Sequence, residues 1–296
     1  ADGSPLYTLA VAVDDVLMKI THVLRGEDLL SSTPRQIRVY QAMGVKTDEF
    51  PVFAHLPFVM GQDNAKLSKR NGEVSIAWYR ESGFLPEAIC NYLALLGWSP
   101  GDDREDVSMK ELVELFELER VNSSPARFDM KKLEAINGEK IRKLTLDDFL
   151  SRALPFLLKD GVVSGKDDEL KVLRQALPII QERIARMNEV SAMLKFLFTE
   201  ELSFDQEAST ALLSDQAQAV IAKSLEVLQG VDDWSHGSIE AKLREALIDQ
   251  MALKPRLAFS PVRIAVTGSH ISPPLFESME LLGKQRCITR LKAAVS

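Results

Sequence analysis

Phe53-Ala54-His55-Leu56-Pro57-Phe58-Val59-Met60 belongs to an apolar run that opens at Val52 and leads within a few residues into Lys66-Leu67-Ser68-Lys69-Arg70. The run has the length and apolar density of a buried strand. The basic cluster beyond it is followed by Asn71-Gly72, residue types that permit a tight turn. A strand that delivers charge into a loop at its end is how mixed α/β folds build their sites. Three cations and a hydroxyl in five residues suit a polyphosphate. An ordinary solvated loop has the same composition, so the cluster takes its meaning from its surroundings.

Upstream, the apolar run Leu9, Ala10, Val11 and Val13 predicts a strand over Tyr7–Val13. Asp14-Asp15 then reads as a turn, with a metal-binding pair as the alternative. A second run from Leu17 to Leu24 ends in Arg25-Gly26-Glu27-Asp28, which gives a hairpin with charge at its end. A buried Arg25 needs a partner, and a carboxylate fits its planar fork best. That carboxylate is either a ligand or the neighbouring Glu27 or Asp28. Ser31-Ser32-Thr33-Pro34 supplies a cap and a first-turn proline for a helix that stops at Gly44.

Downstream the strands all but vanish. Helical periodicity runs over Val74–Glu81 and Pro86–Leu96, and Ser108 with Glu111 forms a capping box for a helix to about Phe116. Asp129 caps Met130–Ile136, which Asn137-Gly138 closes. Thr145 and Asp148 open an amphipathic helix over 146–158, and further helices are predicted at about 168–177, 178–185, 187–199, 214–229, 238–252, 273–282 and 283–294.

The bulk numbers exclude several function classes. The 296 residues suffice for about two domains, and 46% hydrophobic content fills ordinary cores. No apolar run approaches the roughly 20 residues needed to cross a bilayer. The Ala1-Asp2-Gly3-Ser4-Pro5 start has no signal-peptide character, so the expected location is cytoplasmic. A net charge of −7 argues against a protein that coats nucleic acid nonspecifically, yet leaves open recognition of one folded RNA by a local basic face. Cys90 and Cys287 are far apart in sequence, and His22, His55, His236 and His270 have neither metal-ligand nor triad spacing. No metal site is expected, and His55 reads as a hydrogen-bonded core residue.

Several stretches, in order, resemble bacterial-type glutamyl-tRNA synthetases, members of the class I aminoacyl-tRNA synthetases. They include Asp2-Gly3-Ser4-Pro5-Leu6-Tyr7, Thr21-His22-Val23-Leu24-Arg25-Gly26-Glu27-Asp28, Ser31-Ser32-Thr33-Pro34-Arg35-Gln36 and Ala54-His55-Leu56-Pro57. The likeness continues through Lys66–Arg70, Gly83–Ala88, Asn91–Ser99, Phe128-Asp129 and Pro261–Gly268, and ends with Ser272-Pro273-Pro274-Leu275-Phe276-Glu277. The resemblance implies an α/β remnant of a Rossmann-type catalytic domain over 1–60. A mostly helical stem-contact region carrying the KMSKS loop would follow over 61–142. An all-α anticodon-binding domain would occupy 143–296, in two lobes split near 200–214.

It also implies ATP-dependent ligation of L-glutamate to tRNA(Glu) through glutamyl-adenylate, with Mg²⁺ sharing the phosphate charge, in a protein expected to be monomeric. Lys66, Ser68 and Lys69 would be the catalytic residues of the loop, and Lys66, Lys69 and Arg70 the ATP-binding ones. Tyr7 and Arg25 match positions that line the family's amino-acid pocket. Arg127, Arg142, Arg183, Arg186 and Arg263 are candidates for tRNA contact by charge.

Two departures stand out. Val11 occupies a position where the family often has a pocket-forming Asn, and no His-x-Gly-His, the family's ATP-binding signature, occurs in the chain. The sequence therefore resembles the C-terminal part of the enzyme, and the chain alone is expected to be inactive. The rivals are glutaminyl-tRNA synthetase, whose anticodon part is built of β-barrels, a noncatalytic tRNA-binding module of the same ancestry, and a helical protein scaffold, for which the charged faces of 238–252 and 283–294 are poorly suited.

Overall fold

The structure is a computed structural model that describes residues 3–61, 75–204 and 206–295. The Lys66–Arg70 loop lies outside the described residues. Two compact units divide the chain, one of residues 1–75 and 89–133, the other of residues 76–88 and 134–296.

In the first unit the predicted opening strand is instead a helix, α1 (Tyr7–Leu17). A short apolar run cannot by itself distinguish strand from helix. Here the run continues through Asp14 and Asp15, whose residues extend the helix instead of turning it. Ala12, fully buried, faces inward, and α1 packs on α2 (Thr33–Ala42). The Tyr40 hydroxyl of α2 donates to Asp15 Oδ2 at 2.8 Å. Burial and the Asp15 carboxylate push the Tyr40 phenol well above its usual range.

The predicted hairpin is likewise replaced. After a turn through Lys19, in left-handed conformation (φ 57°), β1 (His22–Gly26) pairs in parallel with β2 (Val52–Leu56). Parallel strands need a crossover, and α2 supplies it, with Pro34 in its first turn as predicted but without the expected cap, since Ser32 is itself in helical conformation and makes no side-chain cap bond. Beyond β2, Met60 bridges Arg127, with Met60 N–H donating to Ala126 O at 2.9 Å. Parallel sheets are ordinarily covered on both faces. Here no residue of either strand is fully buried, and Leu6, Leu17, Met18, Leu30 and Val52 are each more than half exposed.

The helices α3 (Ile76–Glu81), α4 (Pro86–Gly97) and α5 (Met109–Leu115) follow, the last opened by the predicted Ser108/Glu111 box. Next, α6 (Met130–Arg142) runs straight through Asn137-Gly138, which was expected to end it. Asn137 is completely buried and acts as a pin. Its Oδ1 accepts from Leu85 N–H at 2.7 Å, and its Nδ2 donates to Ala185 O at 2.5 Å.

The second unit holds α7 (Leu146–Lys159), capped by Thr145, then α8 (Asp167–Gln181) and α9 (Glu189–Phe198). The two helices expected at 168–185 are one, since α8 carries Pro178 internally at the cost of a single hydrogen bond. It continues with α10 (Gln206–Leu212), α11 (Asp215–Gln229), α12 (His236–Arg244), a π-helical segment Glu245–Gln250, α13 (Pro255–Thr267), α14 (Leu275–Leu282) and α15 (Lys284–Ala294). The sequence reading lacks α10 and α13. Pro255, read as punctuation, is the first-turn proline of α13. Around a core that includes Phe149, Leu173, Ile221, Leu243, Val262 and Met279, α11 packs on α13 and α15, and α14 on α8.

Candidate functional sites

The register of β1 and β2 sets Arg25 directly opposite His55, at the C-terminal end of both strands. From there the Arg25 guanidinium is divided among neutral groups. Nη2 donates to Gln36 Oε1 at 2.6 Å, Thr33 Oγ1 at 2.7 Å and Leu29 O at 3.4 Å, while Nε faces His55 Nε2 at 3.5 Å. Nη1 reaches the Tyr7 hydroxyl at 3.4 Å, and the guanidinium carbon lies 5.7 Å from the Phe53 ring centroid. His55 Nε2 and Thr33 Oγ1 are 3.1 Å apart. Glu27, offered by the sequence as an ion-pair partner for Arg25, instead accepts Phe58 N–H at 3.1 Å.

This cluster joins the two predicted residues, Tyr7 and Arg25, and adds Thr33, Gln36, Phe53 and His55. Val11 lies one helical turn beyond Tyr7, hence on the same face of α1. Gln36 is fully buried, and its Nε2 has no hydrogen-bond partner among the described residues. A buried donor left unpaired costs about 1–3 kcal/mol. With Tyr7 half exposed, the arrangement suits an acidic ligand approaching along the Nη1 edge of Arg25. A separate cavity of about 660 Å³ opens at the other end of the strands, lined by residues that include Asp15, Lys19, His22, Tyr40, Phe50 and Val52. It contains none of the residues of the Arg25 cluster, and sites of parallel sheets lie at the carboxyl ends of strands.

The arginines nominated for nucleic-acid contact have unlike surroundings. Arg142 is paired with Glu139 at 2.6 Å and sits 4.0 Å from Glu182, while Arg186 lies between Glu134 at 3.7 Å and Glu189 at 3.3 Å. Arg127, exposed, belongs to the first unit beside Met60. Arg183 and Arg263 are eighty residues apart in sequence, and Arg263 is held below its usual range first by burial and then by the Arg183 charge, with Glu277 acting the other way. Arg183 makes no ion pair among the described residues. Arg263 Nη1 donates to Ser272 Oγ at 2.5 Å and Pro273 O at 2.7 Å.

Beside Arg263 a cavity of about 380 Å³ is lined by Pro255, Arg256, Phe259, Ser260, Arg263 and His270. Phe259 is buttressed edge-on by Phe276 at 5.3 Å and has the Arg244 guanidinium 5.7 Å from its ring centroid. The buried Nε2 of His270 has no partner among the described residues. Cations, an aromatic ring and an unused ring nitrogen in a pocket of this size suit an unstacked nucleotide. Arg256 and Phe259 carry no sequence expectation, and His270 is marked in the sequence only as a histidine without metal-ligand or triad spacing. The signal for Arg256 and Phe259 is helical spacing along α13 (256, 259, 260, 263), a helix the sequence does not predict.

Among the described residues, no group of three His, Cys, Asp or Glu side chains could hold a metal ion, and no helix is long and apolar enough to cross a membrane.

Residues 1–135 match the family described as tRNA synthetases class I (E and Q), catalytic domain, and residues 148–295 match the family described as anticodon binding domain. A glutamate–tRNA ligase from Nocardioides sp. is 51% identical over 302 residues, covering 100% of this chain and 61% of the relative. One from Rhodococcus jostii is 51% identical over 298 residues, covering 99% and 60%. The crystal structure of a glutamate tRNA ligase from Elizabethkingia meningosepticum, in complex with its amino acid, superposes with a TM-score of 0.80 at 30% identity, covering 99% of this chain and 60% of that one. The chain thus spans about three fifths of the length of these relatives.

Proposed function

The chain belongs to the glutamate–tRNA ligase family of class I tRNA synthetases, and from that premise we propose that it supplies the tRNA-reading region and part of the aminoacylation site of such an enzyme. The parent reaction joins L-glutamate to ATP as an adenylate and then to tRNA(Glu). The observation that carries the tRNA reading is the cavity lined by Arg256, Phe259, Arg263 and His270, with the Arg183 charge acting on Arg263 beside it. Glu277 offsets part of the Arg183 repulsion on Arg263, and an anion placed over the two guanidiniums would offset more. A phosphate backbone with a splayed base provides both the anion and a ring to stack.

In the first unit, Arg25 and Tyr7 would receive a carboxylate of the amino acid, with Thr33, Gln36 and His55 holding the guanidinium in place. The Gln36 Nε2, unpaired among the described residues, supports a further acceptor there. Lys66 and Lys69 would neutralise the triphosphate as pyrophosphate leaves, a contact worth most in the transition state. Ser68 and Arg70 complete the loop. Mg²⁺ would arrive with the ATP phosphates, since no carboxylate cage for it exists among the described residues. The glutaminyl rival called for β-barrels in the anticodon part, and the described residues from 146 to 294 are in helices and their connections.

Arg263→Ala in this chain is expected to weaken tRNA(Glu) binding about tenfold or more, as for loss of one nucleotide-contacting arginine. Arg142→Ala, which removes a cation already paired with Glu139, should change it less than about twofold. Filter binding at fixed salt, with circular dichroism to check the helices, decides. Equal and small effects of both variants would defeat the reading.

A further inference from the structure

Two arginines of α15 are used inside the fold. Arg290 is only 7% exposed, yet its guanidinium is met by main-chain carbonyls. Nη1 donates to Val266 O at 2.7 Å, and Nη2 donates to Phe196 O at 2.7 Å and to Thr199 O at 2.6 Å. Arg286, one turn earlier, donates to Leu197 O at 2.7 Å and to Thr199 O at 2.8 Å. Phe196, Leu197 and Thr199 form the end of α9, and Val266 is the penultimate residue of α13. Helix ends carry unpaired carbonyls and partial negative charge, which a buried cation satisfies. Burial, and then Arg286, lower the Arg290 pKa to about 10, so it keeps its proton at neutral pH.

A planar fork with five donors fastens two helix ends at a fixed spacing, which a lysine ammonium cannot reproduce. What is fastened bears on the tRNA face. One turn before Val266 lies Arg263, whose carbonyl accepts the Thr267 hydroxyl at 2.8 Å. At the far end of α9 lies the connection from α8 that carries Arg183. The charges of Arg183 and Glu277 both act on Arg263, so the placing of these groups depends on how α9 and α13 are held. We propose that Arg290 is a positioning residue for tRNA recognition: by joining the ends of α9 and α13 it fixes Arg263 relative to Arg183. This rests on the tRNA reading above.

The test is a double-mutant cycle on tRNA(Glu) binding by the full chain, with Arg290→Met measured in the wild-type and Arg263→Ala backgrounds. Arg290→Met keeps most of the aliphatic stem of the side chain and removes its donors. The expected result is about a tenfold loss of affinity in the wild-type background and less than about twofold in the Arg263→Ala background, because residues acting as one unit are not additive. Equal losses in both backgrounds would mark Arg290 as a general support of the fold and overturn the proposal, as would unchanged affinity in the wild-type background. Should Arg290→Met fail to fold, Arg290→Lys, which keeps charge without the fork, runs the same cycle with a smaller expected loss of about threefold. Arg263→Ala alone leaving affinity unchanged would refute the tRNA reading itself, and is read before Arg290 is touched.

Discussion

Replacing Lys69 by alanine, in a protein extended to the full length of the relatives, is expected to slow glutamate-dependent ATP–pyrophosphate exchange by about 10²–10³-fold, the usual loss for a preorganised transition-state donor. The fall should appear in kcat more than in the KM for ATP, because an ammonium that meets the leaving pyrophosphate is worth most as that charge develops. The present chain should show no exchange above background. It contains no His-x-Gly-His, and among the described residues the sheet has two strands, neither with a fully buried residue. A Lys69→Ala effect below about threefold would remove the loop from the chemistry, since a positioned charge contributes far more than that.

Arg25→Ala, in the same longer protein, is expected to raise the KM for glutamate by about 10–100-fold, in line with about 1.5–3 kcal/mol for a charge-assisted hydrogen bond. Arg25→Lys should recover little of it. The guanidinium uses Nη2 on Gln36 and Thr33, Nε towards His55 and Nη1 towards Tyr7, and a single ammonium cannot serve those directions together. Steady-state exchange kinetics against glutamate measure it. An unchanged glutamate KM would make the Arg25 cluster a purely structural network.

How far the sequence carried this picture depends on whether a feature is local. The box of Ser108 and Glu111, the Thr145 cap and the first-turn Pro34 of α2 were legible, since each is completed within a few residues of its own signal. Tyr7–Val13 misled because an apolar run fits strand and helix alike, and only the packing of Ala12 and Asp15 against α2 selects the helix. Asn137-Gly138 has turn chemistry, but burial gives the amide three carbonyl or amide partners from distant segments, Gly83 O among them at 3.5 Å. Pro255 was legible as a proline and illegible as a helix start, because nothing in its neighbours marks which.

The sites divide in the same way. Arg25 was visible as a charge ending an apolar run, whereas Thr33, Gln36 and His55 join it through strand register and the crossover helix. The five arginines were equal by charge. Only the fold separates Arg142 and Arg186, paired with glutamates, from Arg183 and Arg263, whose charges act on one another. Val11, adjacent to Tyr7 on one face of α1, marks where amino-acid binding in this chain is expected to differ from relatives with a polar residue there.

The most direct measurement is binding of this chain to a tRNA(Glu) transcript and to the same transcript with only its anticodon bases exchanged, at one salt concentration. Mismatched readout of even one base costs about 1–3 kcal/mol in specific nucleic-acid recognition, so the exchanged transcript is predicted to bind at least about tenfold more weakly. Equal affinity for the two would contradict the account, leaving a basic surface that holds RNA without reading it.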